Sequence, residues 1–352
     1  MTLQDLGYSS KLEEYRKKQG LDAFGLGRVI KAHKERYIVS TGASELECEL
    51  IGKLRYTVED PNEWPAVGDW VAINEYDTHK ALIHAVLPRS SQLERKAIGR
   101  DGEAQIIATN IDFGLILQSL NRDFNLNRLE RYLTICHHSG IEPLVVFTKI
   151  DLLSEPELSA LLTLVKQRIK STPILAISNL SQEGLDNLRA VLKPGKTYCL
   201  LGSSGVGKST LINVLSGTST MLTGEISESI ARGKHVTTHR ELIVLEQGIL
   251  IDNPGMREVG ITDGHQGLEL TFQDLMVLAE SCKYSDCSHR HEDGCAVMQA
   301  VEDGRLSPET YEHYLSLEKE REHYESSALD KKKKDKDLGK LIKNMKRSHR
   351  KY

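Results

Sequence analysis

Eight residues limit what this chain can fold into more than any others. Gly202-Ser203-Ser204-Gly205-Val206-Gly207-Lys208-Ser209 fits G-x-x-x-x-G-K-[ST] at every fixed position. An apolar run at 198–201 leads in, and a helix-periodic stretch (Leu211, Ile212, Val214, Leu215) leads out. A strand, a glycine-rich loop and a helix in that order hold phosphate. The glycines let backbone N–H groups turn inward, and the helix N-terminus adds a favourable dipole. Lys208 is expected to reach the β- and γ-phosphates, with the Ser209 hydroxyl on Mg²⁺ and Thr210 closing the loop.

The surrounding chain keeps to an α/β plan. Short continuous apolar runs at 113–117, 144–147, 174–177 and 198–201 read as buried parallel strands. A hairpin is expected over 241–252, turning at Glu246-Gln247-Gly248. Helical spacing over 126–139, 155–170, 185–191 and 208–215 supplies the crossovers of a doubly wound sheet. Upstream, residues 27–30, 37–39, 47–50, 70–73 and 81–83 are short β-rich runs between turn residues, which fits a small barrel of the oligonucleotide-binding type. Residues 3–19 are expected to form a helix ended by Gly20. Strands stop after Thr271, and Ser307-Pro308-Glu309 carries the cap, proline and acid of a helix start.

A phosphate loop does not say which base is read. Thr148-Lys149-Ile150-Asp151 follows the run at 144–147 and has the spacing [NT]-K-x-D. A carboxylate at Asp151 accepts from guanine N1–H and the exocyclic amine; adenine lacks that donor pair, so it would leave the acid unpaired. The aliphatic stem of Lys149 can lie over the ring, and Ser178-Asn179 would complete the pocket through backbone N–H groups. Asp252-Asn253-Pro254-Gly255 is a D-x-x-G motif, its acid suited to the Mg²⁺ shell and the Gly255 N–H to sensing a γ-phosphate. Between cradle and D-x-x-G, Gly233-Lys234-His235-Val236-Thr237-Thr238-His239 offers a threonine, Thr237 or Thr238, to Mg²⁺. Base recognition precedes the phosphate loop, the reverse of the usual order. A doubly wound sheet tolerates this because its termini lie close together.

Three cysteines, Cys282, Cys287 and Cys295, fall within fourteen residues, whereas Cys48, Cys136 and Cys199 sit singly in apolar settings. In a cytosolic chain such a cluster points to metal before disulfide, with His289 and His291 as rival nitrogen ligands. Charge is also uneven. The chain carries −4, but residues 331–352 hold eleven Lys/Arg against Asp335 and Asp337, so the first 330 residues sum to −13. A +9 block is either a solvated tail or an arm that neutralises nucleic-acid phosphates. The barrel adds Arg28, Lys31, Lys34, Arg36, Lys53, Arg55, Arg95 and Lys96 as scattered surface charge. At 39% hydrophobic and 27% charged residues the chain is globular, and no apolar stretch approaches a membrane span. The polar segment 1–20 lacks the core of a secretory signal, so a cytoplasmic location is expected.

Together the phosphate loop, T-K-I-D, D-N-P-G, the Gly233–Thr238 segment and the cysteine cluster resemble the bacterial ribosome-small-subunit-dependent GTPase A family, circularly permuted GTPases. The resemblance runs from about Gly27 through Val297. It implies a helix at 1–20, an OB-fold barrel over 21–100, a permuted α/β GTPase domain over 101–270, a zinc-binding helical domain over 271–326 and a basic tail over 327–352. It assigns one structural Zn²⁺ to Cys282, Cys287, His289 and Cys295, because the family pattern C-x₄-C-x-H-x₅-C matches His289. It implies GTP and GDP as ligands, and the small ribosomal subunit with its rRNA as partner of a monomer during late maturation. The alternative is a nucleotide-regulated RNA-binding module in which hydrolysis is incidental. Met256 stands where many GTPases place a water-orienting glutamine, so slow intrinsic hydrolysis is expected, with His239 or His235 as candidates to approach the γ-phosphate. A kinase or ATPase is disfavoured by Asp151.

Overall fold

In Glu45–Leu50, Leu46 and Cys48 point inward while Glu45, Glu47 and Glu49 point to solvent, the two-residue alternation that lets a strand wall a small core. Lys80–Val86 starts with the same alternation, whereas Gly25–His33 and Trp70–Asp77 carry continuous buried runs. The computed structural model describes residues 1–33, 35–52, 54, 61–96, 104–121, 124–217, 240–253 and 265–323. Strands β1 (Gly25–His33), β2 (Arg36–Ser40), β3 (Glu45–Leu50), β4 (Trp70–Asp77) and β5 (Lys80–Val86) close in the order β1-β2-β3-β5-β4-β1. The β3–β5 pair is parallel and the rest antiparallel, which makes an OB-like barrel around Val29, Tyr37, Val39, Val71, Ile73 and Ile83.

A register shift in β1 between Val29 and Lys31 bends the strand. Its first half pairs with β4, while Lys31 pairs across to Glu241 and bonds its carboxylate at 2.8 Å. The barrel thereby continues the edge of a second sheet. That sheet comprises β8 (Phe113–Ser119), β9 (Glu142–Thr148), β10 (Ile174–Ala176), β11 (Thr197–Leu201), β12 (Glu241–Leu245) and β13 (Gly248–Asp252), in the order β10-β9-β8-β11-β13-β12. All neighbours are parallel except the β12–β13 hairpin. Strands β6 (Gln92–Lys96) and β7 (Ala104–Thr109) form a separate antiparallel pair between barrel and sheet.

Period-2 alternation divides the large sheet between two cores. Ile116, Val145, Phe147, Cys199 and Leu201 face α2 (Leu126–His138) and α3 (Glu155–Arg168). Leu115, Leu117, Leu144, Val146 and Leu200 face α4 (Leu185–Val191) and α5 (Lys208–Ser216). The first core extends over α6 (His265–Thr271), α7 (Gln273–Ala279), α8 (Ala296–Glu302) and a helix over residues 308–323, drawing in Cys295, Val297, Ala300, Leu306, Tyr314 and Leu317. The C-terminal segment is thus roofed onto α2 by apolar packing as well as by its cysteines. Polar ties reinforce it: Arg131 grips Glu320 through two 2.7 Å bonds, and buried Glu130 accepts from Arg168 and faces His313 Nδ1 at 2.6 Å.

Two expectations are corrected. The N-terminal helix, α1, runs only Ser10–Lys18; residues 3–7 form turns instead, because Gly7 takes a φ of +85° and approaches the Gly195 carbonyl too closely for a Cβ. Arg28 is not surface charge. It is 1% exposed, and it donates to Gly68 O (3.0 Å), Leu6 O (2.6 Å), Thr197 Oγ1 (2.9 Å) and Asn110 O (3.0 Å), with its guanidinium over the Trp70 ring. The N-terminal turn covers the outside of β1, so both faces of that strand are buried. Cys48, Cys136 and Cys199 are buried thiols, and burial pushes Cys48 and Cys199 up to about 12.

Candidate functional site

The five parallel strands end along one edge of the sheet, and the chemistry-bearing residues sit at those ends, where open α/β sheets bind ligands. Thr148 closes β9, Ser178 follows β10, Gly202 follows β11 and Asp252 closes β13. A permuted order costs nothing here, because the edge is the same whichever strand comes first in the chain.

The phosphate loop has the backbone its glycines permit. Gly202, Gly205 and Gly207 adopt φ values of +152°, +80° and +99°, and a Cβ on Gly202 would meet Leu117 O at 2.5 Å. Gly207 is the residue before α5, so Lys208, Ser209 and Thr210 form the first turn and present N–H groups that the helix leaves unbonded. Lys208 Nζ folds over the loop and donates to Gly202 O (2.8 Å) and Ser203 O (2.9 Å). Burial lowers its pKa, while Asp252 and Cys199 oppose the shift. Burial raises the pKa of Asp252, and Lys208 opposes it in turn. Asp252 Oδ1 is buried without a donor among the described residues. An oxygen acceptor left open next to the cradle fits a hydrated hard cation such as Mg²⁺, with Ser209 supplying a second oxygen. Ser204 lies on the exposed rim and Val206 beneath it, buried. Arg128, at the start of α2, reaches Ser203 Oγ at 3.4 Å.

The residues expected to read the base are joined to this loop. Thr148 Oγ1 donates to Val206 O at 2.7 Å, and Asn179 Nδ2 donates to Gly207 O at 3.2 Å. Lys149 adopts a left-handed φ of +60°, which turns the chain off the strand end. Asp151 is exposed; its Oδ1 accepts from the Ser178 hydroxyl, which itself accepts from Leu180 N (3.1 Å) and Ser181 N (3.0 Å). Thr148, Lys149, Asp151 and Ser178 therefore flank the cradle formed by Gly202 to Thr210. Residues 218–239, with His235, Thr237, Thr238 and His239, and residues 254–264, with Gly255 and Met256, lie outside the described residues. So do Lys34, Lys53, Arg55 and the basic tail. The side-chain contact of Asn179 with the phosphate loop was not read from the sequence, which assigned Ser178-Asn179 only backbone N–H groups.

Some 30 residues beyond D-N-P-G, Cys282, Cys287, His289 and Cys295 bring four ligand atoms within 4.8 Å of one another. Cys282 Sγ and Cys295 Sγ each lie 3.6 Å from His289 Nδ1 and 3.9 Å apart. Tetrahedral Zn²⁺ with ordinary bond lengths needs ligand spacings of roughly 3.6 Å for S···N and 3.8 Å for S···S, so the donor set fits zinc. His289 is buried while His291 is exposed and outside the cluster, which resolves the rivalry. His289 itself takes a φ of +59°, and its carbonyl accepts from the Tyr311 hydroxyl at 2.5 Å. Glu292 stiffens the loop by accepting from the Ser288 hydroxyl and from the backbone N–H groups of Ser288 (3.0 Å), Arg290 (3.1 Å) and His291 (3.2 Å); the Ser288 hydroxyl above all, then the His291 and Ser288 N–H groups, hold its carboxyl well below the usual range.

A phosphate loop and a base-reading T-K-x-D on one sheet edge, in reversed order, define a circularly permuted GTPase with an OB-like barrel in front and a Cys₃His cluster behind. The RsgA GTPase family profile matches residues 86–262, and the chain belongs to that family. An ABC transporter profile also matches, over residues 185–349, a stretch that contains the phosphate loop. The Listeria monocytogenes protein named small ribosomal subunit biogenesis GTPase RsgA 2 is 41% identical, over 99% of this chain and 98% of its own. The Lactiplantibacillus plantarum protein of the same name is 44% identical over 84% and 83%. Among solved structures, YjeQ from Thermotoga maritima superposes with a TM-score of 0.61 at 25% identity, covering 83% of this chain and 96% of its own. YloQ, described as a circularly permuted GTPase, gives 0.62 at 26% identity, covering 85% and 96%.

Proposed function

We propose that this chain hydrolyses GTP while bound to the small ribosomal subunit and its rRNA late in maturation, and that subunit-stimulated hydrolysis times its release. Its relatives carry the name small ribosomal subunit biogenesis GTPase. One observation carries the reading at atomic level: two side chains from the base-reading loops grip consecutive carbonyls of the phosphate loop, so the two motifs act as one site.

In that site Asp151 accepts from guanine, with Thr148, Lys149 and Ser178 shaping the base pocket. Gly202, Ser203, Ser204, Gly205, Val206 and Gly207 turn backbone N–H groups onto the phosphates, and Lys208 leaves its loop carbonyls to neutralise the β- and γ-oxygens. Ser209, Asp252 and a threonine, Thr238 or Thr237, would hold Mg²⁺, which when bound supplies charge neutralisation between the β- and γ-phosphates. The Gly255 N–H senses the γ-phosphate. Met256 has no group to orient water, so intrinsic turnover is slow, and His239 or His235 completes the machinery once the subunit orders its loop. The chain from Gly255 leads into α6 and the zinc module, so the γ-phosphate state can reposition that module. Zinc held by Cys282, Cys287, His289 and Cys295 is structural, because four protein ligands leave no open position.

The working division is barrel 21–100, GTPase domain 101–270, zinc domain 271–326 and basic tail 327–352, with barrel, zinc domain and tail contacting RNA. The chain acts as a cytoplasmic monomer. Among the described residues no helix is long and apolar enough to cross a membrane. GTP turnover measured with and without purified small subunits is the test. Stimulation that Lys208→Ala abolishes is expected. Subunit maturation supported equally well by Lys208→Ala would make hydrolysis incidental and overturn the proposal.

A further inference from the structure

Thr148 and Asn179 come from two different strand ends, β9 and β10, yet they hold adjacent carbonyls, those of Val206 and Gly207. A trans peptide is planar, and its C=O and N–H point in opposite directions. Pulling the Val206 and Gly207 carbonyls back toward the base-reading loops therefore turns the N–H groups of Gly207 and Lys208 the other way, into the phosphate cradle. Both carbonyls are held by donors of the fold itself, so the orientation is fixed before any ligand arrives.

The amide of Asn179 is the less expected of the two holders. A carbonyl oxygen can only accept, so the atom facing Gly207 O has to be Nδ2. Contact is close enough that a Cβ on Gly207 would sit 3.0 Å from it. Gly207 O also accepts from Leu211 N at 2.8 Å, the first rung of α5, so removing the amide leaves the carbonyl bonded but lets its peptide plane swing. The other end of the same amide, Oδ1, is buried and has no donor among the described residues. A buried acceptor without a partner destabilises the protein that carries it. Asn179 is thus a side chain whose one bond organises the cradle and whose remaining atom works against folding.

We infer that Asn179 is a positioning residue for phosphate binding: from the base-recognition side of the site it aims the Gly207 and Lys208 amides at the β-phosphate of a guanine nucleotide. This rests on the nucleotide-site reading above and adds a residue to it. The consequence is a separation of base reading from phosphate holding. Asp151 reads the guanine 2-amino group, which inosine nucleotides lack, whereas Asn179 acts through the loop and is indifferent to that group.

The test is the affinity of the full-length protein for GDP and IDP, together with the melting temperature of the nucleotide-free form, in Asn179→Ala and Asn179→Asp. Asn179→Ala is expected to weaken GDP by about tenfold, the size of one ordinary hydrogen bond. IDP should weaken by the same factor, so the GDP:IDP ratio stays at the wild-type value. The nucleotide-free melting temperature should be unchanged or higher, since the unpaired oxygen is gone. Asn179→Asp sets an acceptor against the Gly207 carbonyl and should weaken GDP further. Wild-type GDP affinity in Asn179→Ala, a shifted GDP:IDP ratio, a lowered melting temperature, or an Asn179→Asp variant no weaker than Asn179→Ala would each overturn the inference. A wild-type protein that bound no GDP would instead remove the nucleotide-site reading itself.

Discussion

Replacing Arg28 with methionine removes a cation that ties the N-terminal turn and the barrel to the GTPase sheet. The side chain keeps similar reach and apolar bulk, so the loss is polar. Four bonds disappear, to Leu6 O, Gly68 O, Thr197 Oγ1 and Asn110 O, at 2.6 to 3.0 Å. Hydrogen bonds from a charged donor contribute about 1.5–3 kcal/mol each, so the gross loss is about 6–12 kcal/mol. Against it stands the cost of burying the guanidinium, several kcal/mol, which burial also registers by pulling the Arg28 pKa down to about 10. Gly68 O retains a partner, the Asn110 side-chain amide at 3.1 Å, whereas Leu6 O and Asn110 O lose the guanidinium N–H that each accepts. A net destabilisation of about 3–5 kcal/mol follows, as for other broken buried charge networks. Trp70 lies 5.6 Å beneath the guanidinium, so its fluorescence reports unfolding of the barrel directly. Urea titration followed by that signal should show a midpoint shift of this size, with Arg28→Lys nearly as damaging because one ammonium cannot span four acceptors. A shift below about 1 kcal/mol would refute the strut, since it would mean water replaces the guanidinium without penalty.

Two further outcomes concern the C-terminal helices and their contact with α2. Cys282→Ser should lower zinc content from one equivalent per chain, measured by atomic absorption, and should expose the core shared by α2 and the 308–323 helix to early thermal melting, because metal affinity is folding free energy in such modules. Acidification should weaken the α2–α6 contact: burial lowers the pKa of His137, whose Nδ1 lies 3.1 Å from Thr271 Oγ1. The folded pKa lies below the unfolded 6.5, so the unfolded chain binds the proton more readily and this contribution is lost as pH falls below about 6.5. His137→Gln should flatten the melting temperature between pH 7 and pH 5; an unchanged slope would show that the ring is not responsible.

What could be read in advance follows the range of the interactions. The phosphate loop, T-K-I-D, D-N-P-G and the cysteine spacing are legible because their chemistry needs particular residues within a few positions of one another. Strand and helix spans in the α/β part were legible for the same reason, as continuous apolar runs and period-3.6 patterns. Arg28 was not: a lone arginine in a barrel strand reads as surface, and the turn that buries it lies some 20 residues away, with its other acceptors at Gly68, Asn110 and Thr197. The roof over α2 was equally hidden, since the pairs Arg131–Glu320 and Glu130–His313 join residues more than 180 positions apart. The shorter N-terminal helix traces to Gly7, whose left-handed φ no periodicity reveals.

The account stands on an acid encoded before the phosphate loop selecting the base of the nucleotide held by that loop. Competition of GDP, ADP and XDP against a fluorescent guanine nucleotide, in wild type and Asp151→Asn, measures this directly. Wild type should prefer GDP over both. The amide in Asp151→Asn matches the xanthine 2-carbonyl and no longer matches the guanine amine, so the preference should invert toward XDP by about a hundredfold or more, two charge-assisted hydrogen bonds being at stake. An unaltered preference for GDP in Asp151→Asn would contradict the account at its centre.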